Sequence, residues 1–240
     1  INPNERYEGT MIRLQQVTKQ FPSEAGTFTA LKEVSIRIEK GEFIAIMGPS
    51  GSGKSTLLQL IGGLDLPSSG NIMVDGAEWN KLNEKERTLL RRTKVGFVFQ
   101  NYQLLPMLTV EENVALSLAA NKTPKSEIRA RVQELLKDVN LEDKAKSFPS
   151  RLSGGQQQRA AVARALAMKP RLILADEPTG NLDRKNGEAV LDLLSRLNRH
   201  EQITVVMVTH DPMAAKKADR VIRIQDGEVV SEVKEGANQP

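Results

Sequence analysis

The chain has 240 residues, enough to bury roughly 70 to 75% of its unfolded surface as one large domain or two lobes. Apolar residues make up 39%, charged residues 27% and aromatics only 4%, the balance of an ordinary globular protein rather than of a disordered, collagenous or disulfide-stapled one. With 34 Lys and Arg against 30 Asp and Glu the net charge is a modest +4, which does not demand a nucleic-acid partner; there is no cysteine for a disulfide or thiolate site, so nothing speaks against a reducing compartment; and no apolar run approaches the about 18 residues of a membrane-spanning helix.

Ile1 to Thr10 has neither an initiator Met nor an apolar signal core and is expected to be a tag or flexible extension, the fold proper starting at Met11. From Met11 to Val17 and again from Val34 to Ile38, apolar and polar residues alternate with period two, which predicts half-buried strands. Phe43 to Met47 is apolar throughout and suits a central strand covered on both faces. It runs straight into a glycine cluster. Beyond it Leu57, Leu58, Ile61 and Leu64 recur at helical spacing, and Ile72 to Val74 before Asp75-Gly76 reads as a strand entering a turn.

Lys81 to Lys94 is basic on balance and predicts a solvated helix face without a site. Thr123 is the expected N-cap of a further helix, with Pro124 in its first position and Ile128, Val132, Leu135, Leu136 and Val139 as its apolar stripe. Strand-like runs return at Leu172 to Ala175, Ile203 to Val208 and Val221 to Ile224, separated by helical patterns at Gln156 to Ala167 and Gly187 to Leu197. Alternation of this kind predicts a parallel α/β sheet. At the end, Asp226-Gly227 before Val229-Val230 signals a hairpin, and a short flexible tail is expected at 234–240.

The chemistry concentrates at three places. Gly48-Pro49-Ser50-Gly51-Ser52-Gly53-Lys54-Ser55 matches G-x-x-x-x-G-K-S/T and sits between a buried strand and a helix, where a phosphate-binding loop must sit. Its glycines turn backbone N–H groups onto phosphate oxygens, the helix start behind it (Ser55, Thr56) offers free amides, Lys54 adds a mobile cation, and the Ser55 hydroxyl is a hard ligand for Mg²⁺. Leu172 to Ala175 ends in two carboxylates; Asp176 can hold Mg²⁺ through water while Glu177 polarises an attacking water. Leu152-Ser153-Gly154-Gly155-Gln156 precedes a helix with Ser153 at its N-cap, either a second anion site or a plain cap.

These motifs, in this order, resemble the nucleotide-binding subunit of ATP-binding cassette transporters over almost the whole chain, from about Met11 to Val233. The resemblance implies an α/β fold: a P-loop NTPase core with a mainly parallel sheet, an N-terminal antiparallel β subdomain and an inserted α-helical subdomain. Residues 11–99 with 160–233 would form the ATP-binding core and 100–159 the helical subdomain. Ser153, Gly154, Gly155 and Gln156 look like the family's signature motif. Gln100 looks like its Q-loop glutamine, which senses Mg²⁺ and the attacking water. Leu182-Asp183 looks like the D-loop, His210 like the switch histidine on the γ-phosphate, and Phe21 like the aromatic that stacks on adenine, a place more often held by Tyr.

What the resemblance implies is a head-to-tail homodimer around two ATP molecules with Mg²⁺, each between one chain's Lys54 loop and the other's Ser153 to Gly155. Glu177 would be the general base, and Glu177, His210, Gln100 and Lys54 the catalytic set. ATP hydrolysis would drive an integral membrane subunit contacted near Asn101 to Leu108, with the chain peripheral on the cytoplasmic face of the cell membrane. The motifs around Gly96 to Gln100 and Ala175 to Asp183 resemble the lipoprotein-release, macrolide-export and cell-division branch. Two rivals fit less well. A P-loop GTPase needs an N-K-x-D base reader, and Asn121-Lys122-Thr123-Pro124 lacks the Asp; a chromosome-maintenance or repair ATPase needs a long insertion that the short span from Gln100 to Leu152 does not hold.

Overall fold

The computed structural model describes residues 9–24 and 26–234; the expectations for Ile1 to Glu8 and for 235–240 lie outside them. Thr10 lies inside: it is buried and opens the first strand.

Among the described residues the strands form two sheets. The first is antiparallel, in the order β2-β1-β4-β5, with β1 at Thr10–Ser23, β2 at Gly26–Glu39, β4 at Ser69–Val74 and β5 at Ala77–Glu78. The second runs β10-β9-β3-β8-β7-β6, with β3 at Phe43–Met47, β6 at Val95–Phe99, β7 at Leu172–Asp176, β8 at Thr204–Val208, β9 at Arg220–Gln225 and β10 at Glu228–Lys234. Pairings from β6 across to β9 are parallel and only edge strand β10 is antiparallel. Asp226 and Gly227, with φ of 51° and 81°, make the turn before it, as the Asp-Gly pair predicts.

Both long strands of the first sheet exceed the sequence expectation, which stopped at Val17 and resumed at Val34. Gln16 and Glu33 both take φ 47° and the register shifts between Leu14 and Val17, so a bulge breaks the alternation while pairing continues to Ser23 and Gly26. The extra length carries the tip of the hairpin toward the loop after β3.

The period-two alternation within the apolar strands divides them between two cores. Phe43, Ala45, Ile173, Ala175, Val205 and Met207 face the helical side, while Ile44, Ile46, Leu172, Leu174, Val206 and Val208 face the antiparallel sheet. Burial of Phe43 or of Ile46 on such a face contributes about 1.5 to 3 kcal/mol each. On the helical side lie α3 (Val110–Ala120), α4 (Lys125–Asp138), α5 (Gly154–Leu166) and α6 (Arg184–Glu201); α1 (Lys54–Ile61) lies on the other, with α2 (Glu84–Lys94) leading into β6 and the short α7 (Pro212–Ala215) following β8.

Capping boxes at Asn83/Glu86, Thr109/Glu112 and Ser153/Gln156 set the starts of α2, α3 and α5. α4 starts one residue later than expected: Pro124, with ψ 142°, is non-helical and serves as its cap, while the Thr123 N–H stays bonded to Leu118 O at the end of α3. α2 buries none of its residues, as its charge predicts.

Register fixes the site. Phe99 pairs with Asp176, Asp176 with Val208, and Ile46 with Val208, so the carboxyl ends of β6, β7, β8 and β3 meet along one edge of the sheet.

Candidate functional site

The loop after β3 is shaped by glycines that nothing else could replace. Gly53 has φ 99° and a Cβ there would lie 2.5 Å from Ala30 O; a Cβ on Gly48 would lie 2.0 Å from Ile224 O. The loop therefore folds tightly between β2 and β9 and delivers Lys54 to the start of α1. Lys54, 9% exposed, donates from Nζ to Gly48 O at 2.8 Å and Pro49 O at 2.7 Å, which holds the ammonium over the mouth of the loop. A cleft of about 720 Å³ opens there, walled by this loop with Ser55 and Thr56, by Phe28 and Ala30 from the hairpin, and by Glu177, Val208 and His210.

Asp176 ends β7 beside the helix start, and Ser55 Oγ donates to its Oδ1 at 3.3 Å. A hydroxyl and a carboxylate so placed are the hard oxygen donors a Mg²⁺ ion takes. Burial raises the Asp176 pKa above the usual carboxylate range; the Ser55 hydrogen bond opposes this, the Glu177 charge adds to it, and Lys54 opposes it. Since the folded value lies above the unfolded one, ionised Asp176 costs stability at neutral pH, and the cost fades as pH falls through the folded value. Asp176→Asn is expected to raise the Tm of the chain in EDTA at pH 7, with a smaller gain at about pH 5. Scanning calorimetry that gave a lower Tm than wild type at pH 7 would contradict the assignment.

Glu177 follows in left-handed geometry, φ 48°, unusual for a non-glycine residue, with its N–H bonded to Val208 O at 2.9 Å. The bend turns its carboxylate away from the strand and toward the loop after β8. There His210 Nδ1 stands 2.9 Å from both of its oxygens. A carboxylate only accepts, so Nδ1 carries the proton and Nε2 is the free ring nitrogen when the imidazole is neutral. Glu177 is sheltered, 18% exposed at the side chain, whereas His210 is 71% exposed.

Gln100 follows β6 and does not line this cleft; its amide donates to Asn181 Oδ1 at 3.2 Å, and Asn181 Nδ2 donates back to Gln100 O and to Asn101 Oδ1. Ser153 accepts from the Gln156 N–H at 3.3 Å and receives the Gln156 side chain on its own N–H, so the plain capping role is met. The two glycines behind it answer to packing as well as to bare amides. A Cβ on Gly154 would sit 2.8 Å from the Tyr102 hydroxyl, and one on Gly155 2.3 Å from Asn186 Oδ1. Asp183 caps α6, its pKa lowered by the side-chain bond from Asn186 and then by that residue's backbone N–H.

A family model described as ABC transporter matches residues 31–180. The chain belongs to the ABC transporter family. An uncharacterised ABC transporter ATP-binding protein of Methanocaldococcus jannaschii, MJ0796, is 49% identical over 93% of this chain and 97% of its own length. The lipoprotein-releasing system ATP-binding protein LolD 1 of Chlorobium chlorochromatii is 46% identical over 92% of this chain and 90% of its own. The macrolide export ATP-binding/permease protein MacB of Mannheimia succiniciproducens is 48% identical over 92% of this chain, which spans 34% of that protein. A solved dimer of the MJ0796 cassette, in a post-hydrolysis state bound to ADP and Pi, matches with a TM-score of 0.88 at 47% identity, over 95% of this chain and 100% of that one. The lipoprotein-release and macrolide-export kinship read from the motifs is therefore present, and the fold is the expected one.

Within this ABC cassette most of the cleft is made of residues expected from the sequence: the P-loop, Glu177 and His210 line it, and Asp176 reaches it through Ser55. The Ser153 to Gln156 turn and Asp183 stand apart from the cleft walls. Phe21 also falls outside them. The aromatic in the wall is Phe28, its register partner across the hairpin, while Phe21 carries the Lys19 ammonium 5.0 Å from its ring centre. Phe28 and Asn181 were missed: the bulge hid the strand that carries Phe28, and nothing local marks Asn181 as the partner of Gln100.

Proposed function

We propose that this chain binds ATP in the Lys54 cleft and hydrolyses it as one half of a head-to-tail homodimer that drives an integral membrane partner. The observation that carries the reading is the separation within one chain. The P-loop, Glu177 and His210 surround one cleft, Asp176 is tied to it through Ser55, and the Ser153 to Gly155 helix start stands outside it with its anion-binding end unused by its own nucleotide site. The dimeric MJ0796 cassette supports the pairing.

In this reading the P-loop amides and Lys54 hold the β- and γ-phosphates, and Phe28, the hairpin aromatic in the cleft wall, offers a face for adenine. Ser55 and Asp176, with Gln100 nearby, would hold Mg²⁺, which spreads the phosphate charge when bound. Glu177 accepts a proton from the water that attacks the γ-phosphorus. The new O–P bond forms as the bridging P–O bond to the β-phosphate breaks, and ADP and phosphate result. His210 steadies the Glu177 carboxylate through Nδ1–H and turns its other edge to the γ-phosphate. Ser153 to Gly155 of the second chain completes the cage, and closing the pair is the work step. A composite site makes the rate per chain rise with chain concentration at low concentration. A specific activity independent of dilution would exclude it.

The membrane partner has a place to dock. A groove of about 430 Å³ lies between α2, α3 and α5, with Leu64, Phe97 and Phe99 as apolar lining and Arg91, Arg92 and Arg164 as cations. The helix expected to carry no site thus lends two arginines to it. Beside it, Leu105 and Met107 are 41% and 68% exposed, while Leu104 packs on the core. Among the described residues no helix is long and apolar enough to cross a membrane, so peripheral attachment on the cytoplasmic face would run through this contact. Met107→Asp is expected to cut co-purification with the membrane partner severalfold and leave ATP affinity unchanged. Equal recovery of mutant and wild type would refute the surface.

A further inference from the structure

Gln158 lies one turn into α5 and is 0% exposed. Its Nε2 donates to Pro178 O at 2.7 Å, while Oε1 finds no hydrogen-bond partner among the described residues. An apolar side chain of the same length would fill that space without the desolvation cost of an unpaired amide oxygen. The single bond it does make is therefore where its chemistry acts, and that bond goes to the residue immediately after Glu177.

The bend at Glu177 needs external support. Its φ of 48° is a strained setting for a side chain with a Cβ, and Pro178 brings no N–H of its own to brace the next peptide. Two groups fix it from outside: Val208 O takes the Glu177 N–H at 2.9 Å, and Gln158 grips Pro178 O. The rest of the same loop and the first turn of α6 form the seat of the Ser153 turn. Leu182 Cδ2 and Asn181 O lie over Gly154, and Asn186 lies against Gly155.

We propose that Gln158 is a positioning residue that makes the Glu177 carboxylate and the Ser153 to Gly155 helix start of one chain move as a unit. The proposal rests on the paired reading above. Glu177 then serves the chain's own ATP while Ser153 to Gly155 serve the partner's, so engagement of one ATP by the helix start is transmitted through Gln158 to the base at the other. Removing the amide leaves both half-sites intact and disconnects them.

The test compares Gln158→Leu and Gln158→Met with wild type; both delete the donor, and the second keeps the length of the side chain. Calorimetry with MgATP is expected to give unchanged affinity in both. Steady-state ATPase assays are expected to show a Hill coefficient reduced from above 1 to about 1 and a kcat lowered about tenfold, the change in one transition-state hydrogen-bond equivalent. A purely structural role would lower Tm and the active fraction without changing the Hill coefficient. Wild-type cooperativity and kcat in either folded variant would overturn the proposal, as would a wild-type Hill coefficient of 1, or failure of both variants to fold. A parallel Glu177→Gln chain keeps the outcomes distinct: if it still turns over, the base assignment fails, whereas the Gln158 result is read from the Hill coefficient and kcat of chains that keep Glu177.

Discussion

Glu177→Gln is expected to lower ATP turnover about 10³-fold while MgATP binding is kept or tightened, with the closed pair accumulating in ATP. The amide preserves the volume and the left-handed bend, which the Val208 and Gln158 bonds hold whatever the side chain. It cannot take a proton from water, and a placed general base contributes about 10² to 10⁴-fold. Binding moves the other way because a negative charge beside the triphosphate is gone. The same change reaches Asp176: Glu177's charge is among the causes that raise its pKa, so neutralising residue 177 makes Asp176 a better anion and Mg²⁺ holder. Single-turnover hydrolysis beside size-exclusion chromatography in MgATP checks both halves. Turnover within tenfold of wild type would remove Glu177 from the base role.

How far the sequence could be read depended on whether a residue's meaning is local. The P-loop is legible because its demands are local: Gly53 must take positive φ, Lys54 must follow it, and a buried strand must precede it. The parallel sheet is legible for the same reason, since Phe43 to Met47 and Leu172 to Ala175 have no polar face to lose. What stayed hidden is set by partners far along the chain. Gly155 reads as a bare helix start, yet its lack of a side chain is enforced by Asn186 from another helix. Gln158 sits in a run of three glutamines, and only the fold reveals which one is buried and what it holds. The bulges of the β1–β2 hairpin break the alternation and hide its full length, so Phe28's place in the cleft wall is not legible, whereas Phe21, which the family resemblance points to, lies across the hairpin from it.

Lys54→Ala is expected to weaken MgATP binding about 100-fold, the equivalent of one to two charge-assisted hydrogen bonds to phosphate at about 1.5 to 3 kcal/mol each. The loop itself survives the change. Its shape comes from the positive φ of Gly51 and Gly53 and from close approach to Ile224 and Ala30, none of which involves the lysine. What goes is the cation that the Gly48 and Pro49 carbonyls hold over the loop mouth, and with it the one Lys or Arg among the described residues that line the cleft. Lys54→Arg is expected to fare little better, because a planar guanidinium cannot follow the ammonium into a mouth shaped by two carbonyls 2.8 and 2.7 Å from a single nitrogen. Combining Lys54→Ala with Glu177→Gln separates binding from chemistry: the closed pair that Glu177→Gln accumulates should then require about 100-fold more ATP, because pairing draws its drive from the nucleotide. Unchanged affinity by calorimetry in Lys54→Ala, or pairing of the double variant at wild-type ATP levels, would place the triphosphate somewhere other than this loop.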